Sequence, residues 1–415
     1  MNILIVAIGS MGDVNPFVKI GTALRQRGHD VTFLSNSYFS ESVQNAGLDF
    51  ISVGSIEEYN KMVEEVDLNN PSEIMIPILN RLYFPSMQKV YDTIKEKYTP
   101  GETIVIGITM AFGARIAQEK LGIPLITCHL SPVSFRSSIR PARHYGLWMP
   151  AWMPKFYKDG VWKIVDLIAD KIMAPPINEM RDKLSLPPVK GIMKDWIHSP
   201  EKVIGLFPDW FAKPQADWPN NAELTNFVLF DDAANKPLQP GLKEFIDIGN
   251  PPIIFTPGSA VKDATAFFKE SAKACEILNS RAVFISGYKD YIPKNLPKSI
   301  LYCEYAPFSK LLPNASLLVH HAGIGTCAQA LKAGIPQLLT PFGIDHHENS
   351  SRLVELGVGA EVCTKKYKSP IVAEKIGKLL GDKAVHTCCK NIADKLKNID
   401  PLTDLCRIIE DQIIN

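Results

Sequence analysis

The sequence predicts an α/β protein made of two similar domains, whose parallel β-sheets face each other across a cleft. Two observations predict this class. Short apolar runs rich in β-branched residues alternate with amphipathic helical segments in both halves of the chain, as in parallel sheets that helices cover on both faces. The alternation stops in a proline-rich stretch at residues 208–252 and then restarts, which separates two Rossmann-like units.

Length and composition fit this class and exclude others. A chain of 415 residues with 46% hydrophobic and 21% charged residues is long enough for two cores and is neither disordered nor fibrous. The 45 basic and 44 acidic residues leave a net charge of +1, so no overall field attracts nucleic acid. The eight scattered cysteines fit free thiols better than a disulfide framework. Because no apolar run suits a signal peptide or a membrane span, we expect a cytoplasmic protein.

The N-terminal domain is predicted to comprise residues 1–232. Its first strand covers residues 3–8, and a polar turn then leads to a helix with Asn15 as N-cap and Pro16 as first residue, as helix-start preferences suggest. The next predicted elements are strands at 31–35 and 103–108, a helix at 112–121 and a strand at 124–129. Prolines and tryptophans then interrupt the pattern between residues 132 and 200, so we expect an irregular, partly helical insertion.

The C-terminal domain is predicted to comprise residues 233–395, after a linker at 231–237. Its predicted elements are strands at 253–256, 282–286, 317–320 and 337–340, and helices at 263–278, 326–333, 349–356 and 370–380. The remaining residues, 396–415, end in an apolar-striped helix at about 403–414. Such a stripe must be buried, and we expect it to pack back on the N-terminal domain.

The first glycine-containing loop does not fit a dinucleotide site. Gly9 and Gly12 are spaced GxxG, and the second strand ends in residues 35–37 without an acidic side chain, whereas the dinucleotide fingerprint needs GxGxxG and an acid there. The loop instead places a carboxylate, Asp13, at the carboxyl end of the first strand, where such folds bind ligands. The alternative is that Asp13 only caps the helix that follows.

The second candidate site is the segment HHAGIGT at residues 320–326, between a predicted strand and a predicted helix. Free backbone N–H groups and the positive helix end suit a diphosphate there, and His321 and Thr326 add side-chain donors. Gly258 and Ser259 form a similar turn after another strand of the same domain. Each turn alone could be a simple strand–helix connection, but the two together favour phosphate binding.

A third polar loop, at residues 343–349, contains Asp345, His346, His347 and Glu348 in succession. Four consecutive residues cannot converge on one ion and no HxxxH or HxH spacing has a fitting partner, so we expect no metal. No bound cofactor is expected either, because the first loop lacks the dinucleotide fingerprint. The loop either caps the following helix or lets Asp345 and His346 hydrogen-bond the hydroxyl groups of a polar ligand.

These loops, in this order, resemble those of the family 1 inverting glycosyltransferases, which have the GT-B fold. GSMGDVNP at residues 9–16 resembles the opening motif of the antibiotic, sterol and rhamnolipid enzymes, and FTPGS at 255–259 resembles their first donor loop. Residues 305–359, with HHAGIGT and GIPQ, resemble their nucleotide-sugar motif. Segments at 116–122, 195–200 and 204–210 are most similar to the rhamnosyltransferases among them. The resemblance covers essentially the whole sequence.

The resemblance implies a nucleoside-diphosphate sugar (UDP- or dTDP-linked) as co-substrate in the C-terminal domain and an acceptor hydroxyl in the N-terminal domain. Asp13 matches the general base, which takes the acceptor proton, with Ser10 beside it. The implied donor-binding residues are Gly258, Ser259, Tyr305, Ala306, His321, Gly323, Gly325, Thr326, Asp345 and His346. The implied acceptor-binding residues are Gly12, His129, Trp148 and Trp152. One departure stands out, because the family usually has Gln where this protein has His346, which bears on donor identity.

The acceptor is expected to be hydrophobic or amphipathic, such as a lipid, sterol or natural product. Aromatic and basic residues cluster between residues 135 and 162, where they could line an acceptor pocket, contact a membrane interface or form a second core layer. Two other functions stay open. A nucleotide-sugar 2-epimerase shares the fold, although its first loop differs, and a non-catalytic nucleotide-sugar-binding subunit would carry the same motifs.

Overall fold

The computed structural model describes residues 1–65, 74–144, 146–147, 149–150, 152–231, 237–258, 261, 263–343, 345–397 and 399–414. These residues form two compact units. One unit contains the described residues up to Val228 together with the last helix from Asp400 onward, and the other contains the described residues of Leu229–Ile399. Most of the predicted linker at 231–237 lies outside the described residues.

The first unit is built on a seven-stranded parallel sheet with the order β3-β2-β1-β4-β5-β6-β7. Every residue of the central strand β4 is buried, as expected when helices cover both faces of a parallel sheet. The strands are β1 (Asn2–Val6), β2 (Asp30–Asn36), β3 (Asp49–Gly54), β4 (Thr103–Ile108), β5 (Leu125–His129), β6 (Lys202–Gly205) and β7 (Ala222–Leu224).

The helices of this unit include one that comes from the end of the chain. They are α1 (Met11–Gln26), α2 (Ser40–Asn45), α3 (Ile56–Glu65), α4 (Met75–Ile78), α5 (Phe84–Lys97), α6 (Phe112–Leu121), α7 (Lys155–Lys183) and the last helix, α15 (Pro401–Ile414). Short 3₁₀ turns lie at Ser37–Phe39 and Pro132–Ser134, and π-helical turns at Leu79–Tyr83 and Ile192–Trp196.

The second unit is built on a six-stranded parallel sheet with the order β10-β9-β8-β11-β12-β13. The strands are β8 (Ile253–Thr256), β9 (Ala282–Ile285), β10 (Ile300–Cys303), β11 (Leu317–His320), β12 (Gln337–Leu339) and β13 (Gly359–Glu361). The helices are α8 (Pro240–Asp247), α9 (Thr265–Leu278), α10 (Phe308–Leu311), α11 (Ile324–Ala333), α12 (His346–Glu355), α13 (Ser369–Gly381) and α14 (Lys383–Lys397). Short 3₁₀ turns lie at Lys289–Tyr291, Leu312–Asn314 and Thr364–Lys366.

The predicted fold class is confirmed by these two parallel-sheet α/β units. The bounds of β4, α6, β8 and β11 agree with the prediction residue for residue. The end of α6 illustrates why, since Gly122 has the left-handed φ of +69° that commonly terminates a helix. Two helices adjoining the predicted site loops, α11 and α12, begin earlier than predicted, at Ile324 and His346.

The predicted start of the first helix was wrong. The helix begins at Met11 with Ser10 as N-cap, so Pro16 lies inside it and Asn15 is not the cap. The reason is that the Asp13 carboxylate accepts the Ser10 backbone N–H at 2.7 Å, which satisfies a donor at the helix start. Pro16 then removes one hydrogen bond within the second turn.

The segment between residues 132 and 200 is more regular than predicted. It contains the 29-residue helix α7, with Pro175 and Pro176 inside it. A proline removes the hydrogen bond to the carbonyl four residues earlier. Here those carbonyls belong to Lys171 and Ile172, two exposed residues, and the helix continues through both prolines.

The last helix, α15, is attached to the end of α1 by ionic hydrogen bonds. Both carboxylate oxygens of Glu410 accept from Arg27, at 2.7 and 2.6 Å, and Oε1 lies 3.0 Å from His29 Nε2. Hydrogen bonds from Arg27 lower the pKa of Glu410 to about 2. A carboxylate whose pKa is lower in the folded state stabilises the fold above its ordinary pKa and loses that contribution as the pH falls toward the folded-state pKa.

Glu410→Gln is therefore expected to lower the free energy of unfolding by about 1 kcal/mol at pH 7, the scale of a well-formed surface ion pair. The difference from the wild type should shrink as the pH is lowered from 5 toward 3, because Glu410 then becomes protonated in the unfolded chain. Urea unfolding of both proteins at several pH values measures it, with Glu374→Gln, in an exposed pair with Lys378 on α13, as a control expected to change little. An equal difference at all pH values would contradict the role of this carboxylate.

Candidate functional site

The loop after β1 holds the predicted base in a fixed orientation. Oδ2 of Asp13 accepts the Ser10 backbone N–H at 2.7 Å and the Ser10 hydroxyl at 2.9 Å. A β-carbon at Gly9, whose φ is +141°, would lie only 2.4 Å from the same oxygen, so the loop needs glycine there. Asp13 thus does cap α1, and its half-buried carboxylate also stands at the carboxyl end of the first strand. Gly12, in the first turn of α1, is exposed.

A buried tyrosine lies near this carboxylate. The Tyr83 hydroxyl donates to the Ile8 carbonyl at 3.1 Å. Burial raises the pKa of Tyr83 well above its ordinary value, and the negative charge of Asp13 adds to the effect. Tyr83 therefore stays neutral, and it joins the end of β1 to the π-helical turn before α5. The sequence offered no signal for this contact, because the two residues are 75 positions apart.

His129, a predicted acceptor-binding residue, belongs instead to a buried network. The ring is completely buried, with Nδ1 2.8 Å from Thr109 Oγ1 and Nε2 2.9 Å from His198 Nδ1. Burial lowers the pKa of His129 well below its ordinary value and lowers that of His198 to about 4, so both rings are neutral. Since both ring nitrogens are engaged, His129 has no polar atom to offer an acceptor, and that part of the prediction is corrected by the structure.

Two tryptophans, Trp148 and Trp152, are predicted to bind the acceptor. Trp152 lies just before α7 with 74% of its surface exposed. Trp148 lies outside the described residues. Another tryptophan of this segment, Trp162, is buried and donates from Nε1 to the Ser137 carbonyl at 3.0 Å, so this part of the segment does contribute to the core.

The segment 320–326 forms a tight connection from β11 to the first turn of α11. Gly323 is the N-cap, and Ile324, Gly325 and Thr326 are the first three helical residues. The N–H groups of such residues have no partner within a helix, and the helix dipole adds positive potential at this end. Gly325 is exposed and Thr326 half-buried, so this turn has the chemistry of an anion site.

His321 is enclosed by glycines. A β-carbon at Gly258, whose φ is +102°, would lie 2.8 Å from the ring, and one at Gly323 would lie 2.4 Å from Nε2. Nδ1 is buried and has no hydrogen-bond partner among the described residues, which do not include the adjacent Ser259. Burial lowers the pKa of His321 well below its ordinary value. The ring is thus a neutral donor or acceptor in a space that only glycine neighbours permit.

A clamp that the sequence analysis missed fixes the backbone between His321 and Gly323. Ala322 has φ +71°, a left-handed conformation that costs a non-glycine residue about 1–2 kcal/mol. Its N–H donates to His320 Nδ1 at 3.2 Å, and its carbonyl accepts from Asn349 Nδ2 at 3.0 Å. His320 Nε2 then donates to Gln337 Oε1 at 2.9 Å. His320, Gln337 and Asn349 thus position the turn without facing solvent.

Asp345 and His346 start α12 rather than lying in a free loop. Asp345 is the N-cap and accepts from Asn349 Nδ2 at 2.7 Å; burial raises its pKa. His346 Nδ1 accepts the Gly343 N–H at 2.8 Å, so the proton of the neutral ring lies on Nε2. The His346 ring packs edge-on against His321, with 4.7 Å between centroids. The structure therefore brings these predicted donor residues together with His321.

The predicted nucleobase segment follows β10. The Tyr305 ring is 45% exposed, and its hydroxyl donates to Asp231 at 3.3 Å. Asp231 also accepts from the Ser309 N–H and hydroxyl at 3.0 and 2.7 Å, which fixes the start of α10. Ala306 is buried.

Within the described ranges, no three or more His, Cys, Asp or Glu side chains form a group able to hold a metal ion. No helix in the part of the chain that the structure describes is long and apolar enough to cross a membrane.

Two protein families match separate parts of the chain. Residues 3–138 match the glycosyltransferase family 28 N-terminal domain, and residues 285–405 match the C-terminal domain of erythromycin biosynthesis protein CIII-like proteins. The first match contains the Asp13 loop, and the second contains the His321 turn, Tyr305 and Asp345. Both sets of predicted site residues thus fall within these matches, apart from the turn at Gly258 and the acceptor candidates Trp148 and Trp152.

Similar proteins are glycosyltransferases as well. O-mycaminosyltylonolide 6-deoxyallosyltransferase of Streptomyces fradiae is 24% identical over 99% of this chain and 97% of its own length. A sterol 3-beta-glucosyltransferase of Arabidopsis thaliana is 27% identical over 96% of this chain and only 64% of its own length. Spinosyn forosaminyltransferase has a similar structure, with a TM-score of 0.73 at 18% identity over the whole of both chains. So does a glycosyltransferase of Streptomyces sp. SF2575 in complex with thymidine diphosphate, with a TM-score of 0.65 at 19% identity over 99% of each.

The two parallel-sheet units and these similarities define a glycosyltransferase with the GT-B fold. More particularly, the chain is similar to antibiotic and sterol glycosyltransferases in both its N-terminal and its C-terminal part.

Proposed function

We propose that the protein transfers a hexose from a UDP- or dTDP-sugar to a hydroxyl of a hydrophobic or amphipathic acceptor, with inversion at the anomeric carbon. The observation that carries the proposal is the turn at residues 320–326, where a neutral histidine enclosed by glycines adjoins the first turn of α11. This combination supplies hydrogen-bond donors to a diphosphate, so that no lysine is needed. Support for a thymidine nucleotide comes from the SF2575 enzyme, which was solved with thymidine diphosphate.

In the proposed reaction Asp13 acts as general base. The acceptor oxygen attacks the anomeric carbon while its proton passes to the Asp13 carboxylate, and the bond from that carbon to the diphosphate oxygen breaks. The two hydrogen bonds from Ser10 to Oδ2 hold the carboxylate in one orientation, which spares reorganisation during the reaction. Ser10 therefore positions the base, and the acceptor lies against the N-terminal unit.

In the same step the leaving diphosphate gains negative charge. The N–H groups of Gly325 and Thr326, the Thr326 hydroxyl and the His321 ring supply fixed dipoles for it, which stabilise the charge without reorganising as it develops. Ser259 is proposed to add a further hydroxyl. Tyr305 packs on the nucleobase beside the backbone of Ala306, and Asp345 and His346 bind the hydroxyls of the sugar.

The acceptor proposal follows from the relatives and from the surface near α7. The similar proteins act, by their names, on a tylonolide and on sterols, which are polycyclic or macrocyclic and largely apolar. Trp152 and the start of α7 expose aromatic surface in the N-terminal unit, where an apolar acceptor would gain from contact. Contact with a membrane surface is a separate proposal, made for α7 below.

A donor screen tests the proposal. Thermal unfolding is followed with UDP, dTDP, GDP and ADP, and turnover is then measured with the sugars of the stabilising nucleotide and a panel of lipid, sterol, phenolic and sugar acceptors. A nucleotide at 100 times its dissociation constant should stabilise the fold by about 2.7 kcal/mol. We expect UDP or dTDP to do so and transfer to an apolar acceptor to follow. Stabilisation by neither, or exclusive use of small hydrophilic sugars, would contradict the proposal.

Removal of divalent cations by a chelator should leave the rate of sugar transfer unchanged. The reason is that the N-terminus of α11 and His321 take the place of a cation at the diphosphate. Initial rates are compared with and without EDTA, and with Mg²⁺ or Mn²⁺ restored. Complete loss in EDTA that either metal reverses would show that the leaving group depends on a cation.

A further inference from the structure

We infer that α7 docks the protein on an anionic lipid surface. Six large apolar side chains of this helix are exposed by 40–78% of their surface, although the helix is otherwise anchored to the first unit. They form what we call the α7 apolar face: Phe156, Tyr157, Ile164, Leu167, Ile168 and Ile172. This inference goes beyond the proposed sugar transfer and does not depend on it.

The face is continuous. At 3.6 residues per turn, the six side chains fall within about 160° of the helix circumference and along roughly 24 Å of its length. Trp152, three residues before the helix begins, is also exposed, by 74% of its surface. Contiguous apolar surface of this extent is uncommon on a protein that stays in water and marks a contact surface.

The opposite side of the helix is fixed to the first unit. Trp162 is buried and donates to the Ser137 carbonyl, and Asp166 pairs with Arg136. Asp170 accepts the backbone N–H groups of Gly191 and Ile192 at 2.7 and 2.9 Å. The apolar face is therefore presented by a rigid helix whose inner side already has partners.

The charged side chains of α7 favour an anionic surface as its partner. Lys171 projects from the middle of the apolar face and Lys163 from its edge, and both are exposed. None of the three acids in this part of the helix lies within the apolar face: Asp166 and Asp170 are held as described, and Asp159, one turn before Lys163, pairs with Lys155. Apolar and aromatic side chains with cations alone among them are typical of helices that lie in a membrane interface.

A second copy of the chain fits this face less well. A symmetric dimer would bury Lys171 among apolar side chains, and the face contains no acid to pair with it, which is costly. At a lipid surface the lysine stem can instead extend along the apolar layer and bring its ammonium to a phosphate. Each such cation strengthens attachment to an anionic surface by about 5-fold.

Cosedimentation of the full chain with vesicles tests the inference, without nucleotide or acceptor. We expect binding to vesicles of phosphatidylcholine with one third phosphatidylglycerol and much weaker binding to phosphatidylcholine alone. Leu167→Glu with Ile168→Glu should weaken binding at least about tenfold, and Lys163→Gln with Lys171→Gln by roughly 25-fold. The control is Ile277→Glu, at an isolated residue of α9 that is 60% exposed, and it should bind like the wild type.

Other outcomes would overturn the inference. These are a wild type that does not bind anionic vesicles, and binding that the α7 variants leave unchanged while their thermal unfolding matches the wild type. A dimer in sedimentation velocity that Leu167→Glu converts to a monomer would show that a second copy covers the face. Because sugar transfer to a soluble acceptor is measured without vesicles, failure of the lipid inference stays distinct from failure of the proposed function.

Discussion

Asp13→Asn is expected to reduce turnover by about 10²–10⁴-fold, the usual contribution of a general base. The amide keeps an oxygen that can accept the Ser10 N–H, so α1 stays capped and the fold is preserved. It cannot accept a proton from the acceptor hydroxyl, however. Steady-state kinetics with the preferred donor measures the loss, and calorimetry measures nucleoside diphosphate affinity, which should stay nearly unchanged because the base acts on the acceptor.

Two controls make this result specific. Ser10→Ala removes one of the two hydrogen bonds to Oδ2 and should lower turnover much less, since the carboxylate remains. Asp209→Asn changes a carboxylate that is exposed and should have no effect. A variant Asp13→Asn that keeps most of the wild-type turnover would rule out Asp13 as the base.

His321→Ala is expected to weaken nucleoside diphosphate binding by about tenfold to a hundredfold, the range for losing a hydrogen bond to a charged group. The substitution also leaves space between Gly258 and Gly323, which now pack against the ring. Calorimetric titration with UDP and dTDP measures the change. Turnover should fall further than affinity, because the ring also stabilises charge that grows as the diphosphate leaves.

The matched control for this variant is His386→Ala, which removes an exposed imidazole and should leave affinity unchanged. Asn349→Ala tests the clamp on Ala322. It should weaken diphosphate binding while His321 is still present, because the turn is then free to change its backbone conformation. Wild-type affinity in His321→Ala would mean that the phosphate site lies elsewhere.

Four of the six strands of the second unit, β8, β9, β11 and β12, could be predicted from the sequence because they contain short apolar runs, whereas β10 and β13 were not predicted. The strand β11 and the turn after it follow from three apolar residues and His320, and then glycines at 323 and 325. The grouping of His321 with Asp345 and His346 could be expected in outline, because strands β11 and β12 are neighbours and parallel, so their carboxyl ends lie together.

The rest depended on contacts between residues distant in sequence. The stretch between residues 132 and 200 is expected to be irregular because of its prolines, but α7 continues through Pro175 and Pro176. His129 is one of the acceptor-binding residues that the resemblance implies, but the ring packs against Phe135 and His198 in the interior. The clamp on Ala322 joins residues 27 positions apart, and an alanine between histidine and glycine gives no sequence signal of positive φ.

The anomeric configuration of the product tests the central claim most directly. The donor identified by the thermal screen is reacted with the best acceptor, and proton NMR of the purified glycoside gives the configuration at the transferred sugar. Single attack by a hydroxyl that Asp13 deprotonates predicts inversion, so an α-linked donor should yield a β-linked product. A product that keeps the configuration of the donor would contradict the single-displacement reaction assigned to Asp13.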